Sequence, residues 1–173
     1  MSNTNFQQLP VAVGLTGNEI VPIQQAGVTK RTTTGLIGSV GLAAQLPGAI
    51  EFVIDGGGGN INAQTWGYMK VPFNALITSA EMLGNTDNGS IIINLWKCTY
   101  AQFDAGVTHP TAADSITSAT PPTLTAQAKS LDTALAGWTT TLSEGDVLAF
   151  NVPSVSTNLT RVTIALNLVR ITS

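Results

Sequence analysis

The clearest signal along the chain is a period of two. In R-V-T-I-A-L-N-L-V-R, residues 161–170, Val162, Ile164, Leu166 and Leu168 alternate with Arg161, Thr163, Ala165, Asn167 and Val169. Successive side chains of a strand point to opposite faces, so this spacing predicts a strand with one buried face. Its other face is turned to water or to an interface. The pattern recurs in shorter pieces. In I-E-F-V-I-D, Phe52 and Ile54 oppose Glu51, Val53 and Asp55. Trp66, Tyr68 and Lys70 alternate with Gly67, Met69 and Val71, and Pro72 ends that strand or marks an edge. Residues 76–83 form a further strand. In I-I-I-N-L-W-K, Ile91, Ile93 and Leu95 line one face, while Ile92, Asn94 and Trp96 line the other. V-L-A-F-N-V follows the turn S-E-G-D, Ser143 to Asp146.

Turn formers punctuate these pieces. Gly56 to Gly59 predict a hairpin or loop, and N-T-D-N-G-S, Asn85 to Ser90, has the chemistry of a turn. Roughly six to eight strands with no alternating helices exclude a Rossmann or barrel arrangement of βα units. The expected fold is all-β: an antiparallel β-sandwich, jelly-roll-like, with a small N-terminal hairpin arm.

Between Tyr100 and Thr141 the strand signal fades. Y-A-Q-F-D-A and A-A-D-S-I suit single helical turns, and T-P-P-T from Thr120 is a break. Gln127 to Leu135 suggests a weak helix or an irregular segment leading to a strand at Gly137 to Leu142. A connection this long inside a sandwich is usually functional or structured by a neighbour.

Near the N-terminus, Glu19 to Gln24 predicts a strand, Ala26-Gly27 a turn and Val28 to Arg31 the return strand. Pro22 confines the first of these to an edge. Thr32 to Thr34 are expected to cap a short helical turn through Leu36 and Ile37. Leu42 to Gly48 is a joint with Pro47-Gly48 as its break, which divides the chain into an arm, 1–48, and a sandwich domain, 49–173. So small a hairpin is marginal alone in water and needs a surface to pack against.

Composition sharpens the picture. Of 173 residues, 43% are hydrophobic, which supplies a core, and only 10% are charged. The average soluble domain carries about 25% charge. A surface so poor in charge suits burial in an assembly, because few charges must lose their water there. A net charge of −3 with scattered lysines and arginines argues against a nucleic-acid partner. Cys98, the one cysteine, excludes an intrachain disulfide and a cysteine zinc site; a half-buried place at a strand end is expected for it. No signal peptide is visible in M-S-N-T-N-F-Q-Q, and no apolar run reaches the ~18 residues of a membrane span, so no membrane partner is expected.

Candidate chemistry is thin. The one histidine, His109, precedes a proline in a loop. Ser115, Ser118, Asp104 and Asp114 could join it only by composition, since no nucleophile-elbow motif surrounds them. Glu51 and Asp55, four residues apart on one strand face, stand about 13 Å apart, too far for a glycosidase pair. Glu144 and Asp146 lie in a turn, where acids cap or bind water. D-G-G-G-G-N lacks the lysine and helix start of a phosphate loop. Asn85, Asp87 and Asn88 carry calcium-type oxygens, yet turns use the same residues. Trp66, Tyr68 and Trp96, with Tyr100 and Trp138, are candidates for stacking on sugar rings, against the commoner role of strand aromatics in a core. No enzyme activity and no cofactor is expected.

The segment L-T-G-N-E-I-V-P-I-Q-Q-A-G-V-T-K-R-T-T, Leu15 to Thr33, resembles one near the N-termini of tailed-bacteriophage structural proteins. The shared features are L-T-G, the acid Glu19, the apolar-Pro-apolar run Val21-Pro22-Ile23, a glutamine, Gly-Val-Thr and the basic Lys30 and Arg31 before threonines. From Ile50 the chain is similar to the C-terminal sandwich of phage fibre and decoration proteins, through I-E-F-V-I-D-G-G-G, V-P-F, I-I-I-N-L-W-K, A-D-S-I, G-W-T-T-T-L-S-E-G-D-V-L-A-F-N-V and the last strand. The resemblance implies a virion component assembled in the host cytoplasm, a decoration or a head- or tail-fibre-like appendage. It implies a homotrimer whose arm, through Glu19, Val21, Pro22, Lys30 and Arg31, docks on a larger capsid or tail protein. The alternative is the receptor- or glycan-binding head of a fibre, touching sugar through Trp66, Tyr68 and Trp96.

Overall fold

The structure, a computed structural model, describes residues 20–26, 28–33, 46–103, 110–156 and 158–171. The chain divides into two units, Met1–Gln45 and Leu46–Ser173. In the first, β1 (Ile20–Gln25) and β2 (Val28–Thr33) pair antiparallel, Pro22 opposite Arg31 and Ile23 opposite Lys30. Ala26 after β1 has φ 51°, the left-handed conformation that a two-residue hairpin turn needs at its first position. Thr32 and Thr33 extend β2 instead of capping a helix, as β-branched residues favour once a partner strand is present. Leu36 and Ile37 lie outside the described residues.

The second unit is an all-β sandwich. Its strands are β3 (Pro47–Asp55), β4 (Gln64–Lys70), β5 (Ala75–Gly84), β6 (Ile91–Cys98), β7 (Thr123–Leu124), β8 (Lys129–Asp132), β9 (Thr141–Leu142), β10 (Val147–Val155) and β11 (Arg161–Arg170). One sheet has the order β4-β10-β6-β7 and the other β3-β11-β5-β8, with β9 paired to the start of β5. Every pairing is antiparallel. The first long strand pairs with the last, β3 with β11, the second with the next to last, β4 with β10, then β5 with β8 and β6 with β7. That nesting is a long hairpin rolled across two sheets, the jelly roll.

β3, β6 and β11 bury the faces that their alternation predicts. β11 turns Val162, Ile164, Leu166 and Leu168 inward, and β6 turns Ile91, Ile93 and Leu95 inward. Phe52 of β3 stacks on Phe150 of β10, 4.3 Å between ring centres and 6° between planes, joining the two sheets. Gly67 of β4 lies beneath that ring: a Cβ there would stand 2.7 Å from Phe52 Cζ. No buried side-chain nitrogen or oxygen among the described residues lacks a hydrogen-bond partner.

Bulges shift the phase three times. β5 buries Ala75 and Ile77, then Ala80 and Met82, because Thr78 is an extra residue against β11. Thr78 Oγ1 donates to the Asn167 carbonyl at that point. Between Asn151 and Ser154 the register of β10 against β6 slips, which admits Pro153 to a central strand. On β4, Gly67 opposes Phe150 and Thr65 opposes Asn151, leaving Trp66 as the extra residue.

Several expectations are corrected. Pro47 and Gly48 do not break the chain but open β3, where an edge tolerates proline at the first position. Of the hairpin or loop expected at Gly56–Gly59, the structure has the loop, which carries the chain from one sheet to the other with Gly57 and Gly58 at φ 65° and 90°. Gln127 to Leu135 contains β8, not a helix. The strand expected over Gly137 to Leu142 shrinks to Thr141–Leu142, since Gly137 turns at φ 76° and Trp138 enters the core.

Candidate functional site

The outer face of the β4-β10-β6-β7 sheet holds the candidate site. Tyr68 and Trp96 both stand opposite Ala149, one on each side of β10, so they share this face about 10 Å apart, two strand spacings. Neither packs against the central core cluster, whereas Trp66 does. The bulge has turned Trp66 to the inner side, where its Nε1 donates to the Asn62 carbonyl. The expected trio is therefore divided: Tyr68 and Trp96 come together, and Trp66 leaves them. Trp138 is buried, its Nε1 donating to the Thr120 carbonyl.

Tyr68 is 43% exposed, and Phe103 of the one-turn helix α1 (Tyr100–Phe103) meets its ring edge-on at 4.9 Å. Lys70 Nζ sits 4.9 Å from the centre of the exposed Tyr100 ring. One step along the sheet from Ala149, Asn151 faces Asn94 across the strand pair, both half-buried. Asn151 Nδ2 donates to Thr65 Oγ1 on β4. Beyond the bulge, Ser154, Ile92 and Thr123 form the next row and line a hollow of about 350 Å³. The period of two had put Asn94 beside Trp96 on this face. Its meeting with Asn151 depends on register and was not legible.

The second sheet presents a different outer face. Val53, Thr163, Leu83 and Lys129 form one row across β3, β11, β5 and β8. Glu51, Ala165, Glu81 and Leu131 form the next. Val53, Leu83 and Leu131 are 53%, 57% and 61% exposed.

The acids take structural places. Asp146 is buried, and its Oδ2 accepts from Lys97 Nζ at 2.8 Å and from the Ser143 N–H at 2.9 Å. Asp55 accepts from the Gly57 N–H and from Arg161; the first and then the second hold its carboxyl below the ordinary range. Asn85 Oδ1 accepts from the Thr160 and Arg161 N–H groups, so this oxygen of the proposed calcium trio is engaged in the fold. Among the described residues no three His, Cys, Asp or Glu gather as metal ligands. Cys98 is buried at the end of β6, and burial, then Asp114 and Asp146, pushes its thiol pKa up. Ser115 Oγ lies 3.4 Å from Thr117 Oγ1, while His109 and Asp104 lie outside the described residues. Of the anchoring set, Val21, Pro22, Lys30 and Arg31 lie on β1 and β2, and Glu19 lies outside the described residues.

Searches against protein-family models, curated proteins and solved structures find no match to this chain.

Proposed function

We propose that this chain is a non-catalytic structural component of a bacteriophage virion, a decoration or fibre-like appendage. Its N-terminal arm docks on a larger capsid or tail protein, and the sandwich assembles as a homotrimer. The observation that carries the reading is the outer face of the β3-β11-β5-β8 sheet. Val53, Leu83 and Leu131 stand out from it, with Thr163 and Ala165 at its centre and only three charged residues, Glu51, Glu81 and Lys129, set among them. Exposed apolar residues gathered on one face favour association over solvent. The low charge of the chain and the resemblance of Leu15 to Thr33 to phage structural proteins support the same reading.

Light scattering on the full chain tests the assembly. A three-subunit mass at micromolar concentration is expected, with Leu83→Lys and Leu131→Lys together lowering it. A single-subunit mass for the unaltered chain refutes the oligomer. Removing residues 1–45 tests the anchor: the shortened protein is expected to be missing from particles of the phage that encodes it. Retention at the normal level refutes docking through the arm.

A further inference from the structure

We infer that Asn88, in the turn between β5 and β6, is a self-modification site. In the folded protein its side-chain amide is lost to attack by the Gly89 backbone nitrogen, and water converts the product to aspartate and isoaspartate. The inference is independent of how the chain is anchored or how many copies associate.

The chemistry needs a neighbour without a side chain. The backbone nitrogen after an asparagine can close a five-membered ring on the amide carbon Cγ, and a Cβ on that neighbour crowds the approach. Asn88-Gly89 is the one Asn-Gly pair in the chain. Nucleophile and carbonyl are held in one small loop of bonds, so no entropy is lost in bringing them together. As the N–Cγ bond forms, the nitrogen gives up its proton, the Cγ–Nδ2 bond breaks and ammonia leaves a succinimide. Water then opens the ring. Attack at Cγ gives aspartate, and attack at the main-chain carbonyl gives isoaspartate, whose backbone runs through the former side chain.

The structure leaves Asn88 free to react. It is exposed, and its side chain makes no hydrogen bond among the described residues. The carboxamide can therefore swing toward the nitrogen, and water reaches it. Gly89 N–H donates to the Thr86 carbonyl at 3.4 Å. That is longer than the roughly 2.7–3.2 Å of an ordinary N–H···O bond, so the nitrogen is weakly held. Every other asparagine precedes a residue with a side chain. Asn85 is also tied through its amide to Thr160 and Arg161. Asn74, Asn151, Asn158 and Asn167 each have a side-chain hydrogen bond.

Packing fixes the glycine. A Cβ at position 89 would stand 2.7 Å from Leu159 Cδ1 and 3.2 Å from Thr86 Cγ2, and Leu159 is fully buried. The fold thus demands the residue that makes Asn88 reactive, while no contact among the described residues depends on the Asn88 amide.

The modification changes the turn. Each conversion adds one negative charge, beside Asp87, to a chain of formal net charge −3. Isoaspartate also adds a methylene to the main chain between two fixed points. On one side Asn85 is bonded to Thr160 and Arg161. On the other the Gly89 carbonyl accepts from the Gln127 N–H, and the Ser90 N–H donates to Ser156 Oγ. The longer main chain must bow out or break one of these bonds, which loosens the β5–β6 connection. Because ammonia is lost, the change runs one way and accumulates with the age of the protein.

The test ages the full chain at mildly alkaline pH and follows it by isoelectric focusing and by peptide mapping with mass spectrometry. Exchange of the amide for a carboxyl group is expected at Asn88 ahead of every other asparagine, with two products of equal mass that separate by chromatography. Since the nitrogen must lose its proton, ageing at mildly acidic pH should be slower. Asn88→Gln would need a six-membered ring and should not form the more acidic species. An unaltered thermal transition before ageing shows that this variant is folded. Aged protein should also unfold at lower urea than Asn88→Asp, which carries the charge without the extra methylene; equal midpoints would overturn the loosening of the turn. The inference itself is overturned if Asn88 stays intact in the folded chain, whether or not it converts in urea. It is overturned equally if another asparagine converts as fast, or if Asn88→Gln acidifies at the unaltered rate.

Discussion

Replacing Gly67 by alanine adds one methyl group where β4 meets Phe52 of the other sheet. Its Cβ would lie 2.7 Å from Phe52 Cζ and 3.1 Å from Cε2, so the ring must move. The ring is already stacked 4.3 Å from Phe150, and moving it opens that contact. Alanine in a strand is intrinsically better than glycine by about 0.5–1 kcal/mol. Against this stand about 1–3 kcal/mol for overpacking and up to about 1.5 kcal/mol for a disturbed aromatic pair. At mid-range crowding wins, and Gly67→Ala should destabilise by about 2 kcal/mol, within a span of about 0–4. Urea unfolding followed by circular dichroism and by tryptophan fluorescence measures it, with an unchanged slope against urea. Phe52→Leu removes the atoms that clash. In that background Gly67→Ala should be neutral or stabilising, a coupling of at least about 1 kcal/mol. Equal costs in the two backgrounds, or a gain for Gly67→Ala alone, would refute the reasoning.

Leu166, fully buried on the central strand β11, should cost about 2–5 kcal/mol when cut to alanine, and a loss below about 1 kcal/mol in urea would contradict its inward placement. Lys97→Met leaves the buried Asp146 with the Ser143 N–H alone and should cost about 1–3 kcal/mol by the same method, less than a fully buried pair because the lysine side chain is 22% exposed. The Asp55 carboxyl is held below its ordinary value of 3.8, so its contribution is present above that pH and is lost as pH falls below it. Asp55→Asn should flatten this acid part of the stability profile, and an identical profile would show that the contacts to Gly57 and Arg161 do not bias its titration. Burial of Cys98 and its raised thiol pKa predict slow alkylation at pH 8 that becomes fast in urea; equal rates in the two conditions would place the sulfur at the surface.

The long central strands were legible because their environment is regular. β11 has neighbours on both sides and a core on one face, so a simple alternation describes it fully. β8 escaped notice because it is a short edge strand whose Leu131 points away from the core, which leaves no apolar period to detect. Trp66 shows a second kind of limit. Its alternation with Tyr68 is correct as a count along β4, but a bulge is defined by two strands together, and only the pairing with β10 turns the indole inward. The candidate site was half visible for the same reason. Tyr68, Trp96 and the outward position of Asn94 follow from local period, whereas Asn151 joins them through the register of β10.

The nested pairing of the jelly roll bears on how the molecule comes into being. β10 lies between β4 and β6, and β11 lies between β3 and β5, so the centre of each sheet is supplied by the end of the chain. Of the strands of this unit, a ribosome delivers β3 first and β11 last. At 5–20 residues per second, the stretch from Pro47 to Arg170 takes roughly 6–25 s to emerge. Through that interval β3 and β4 lack their only partners, β5 and β6 lack their central ones, and the apolar faces have no complete sheet to pack against. A ribosome stalled before Val147 would therefore hold a chain with most of its core residues and only the β5–β8, β5–β9 and β6–β7 pairings, each sheet lacking the strand that joins it. Productive folding of this unit waits for the last strand to be made.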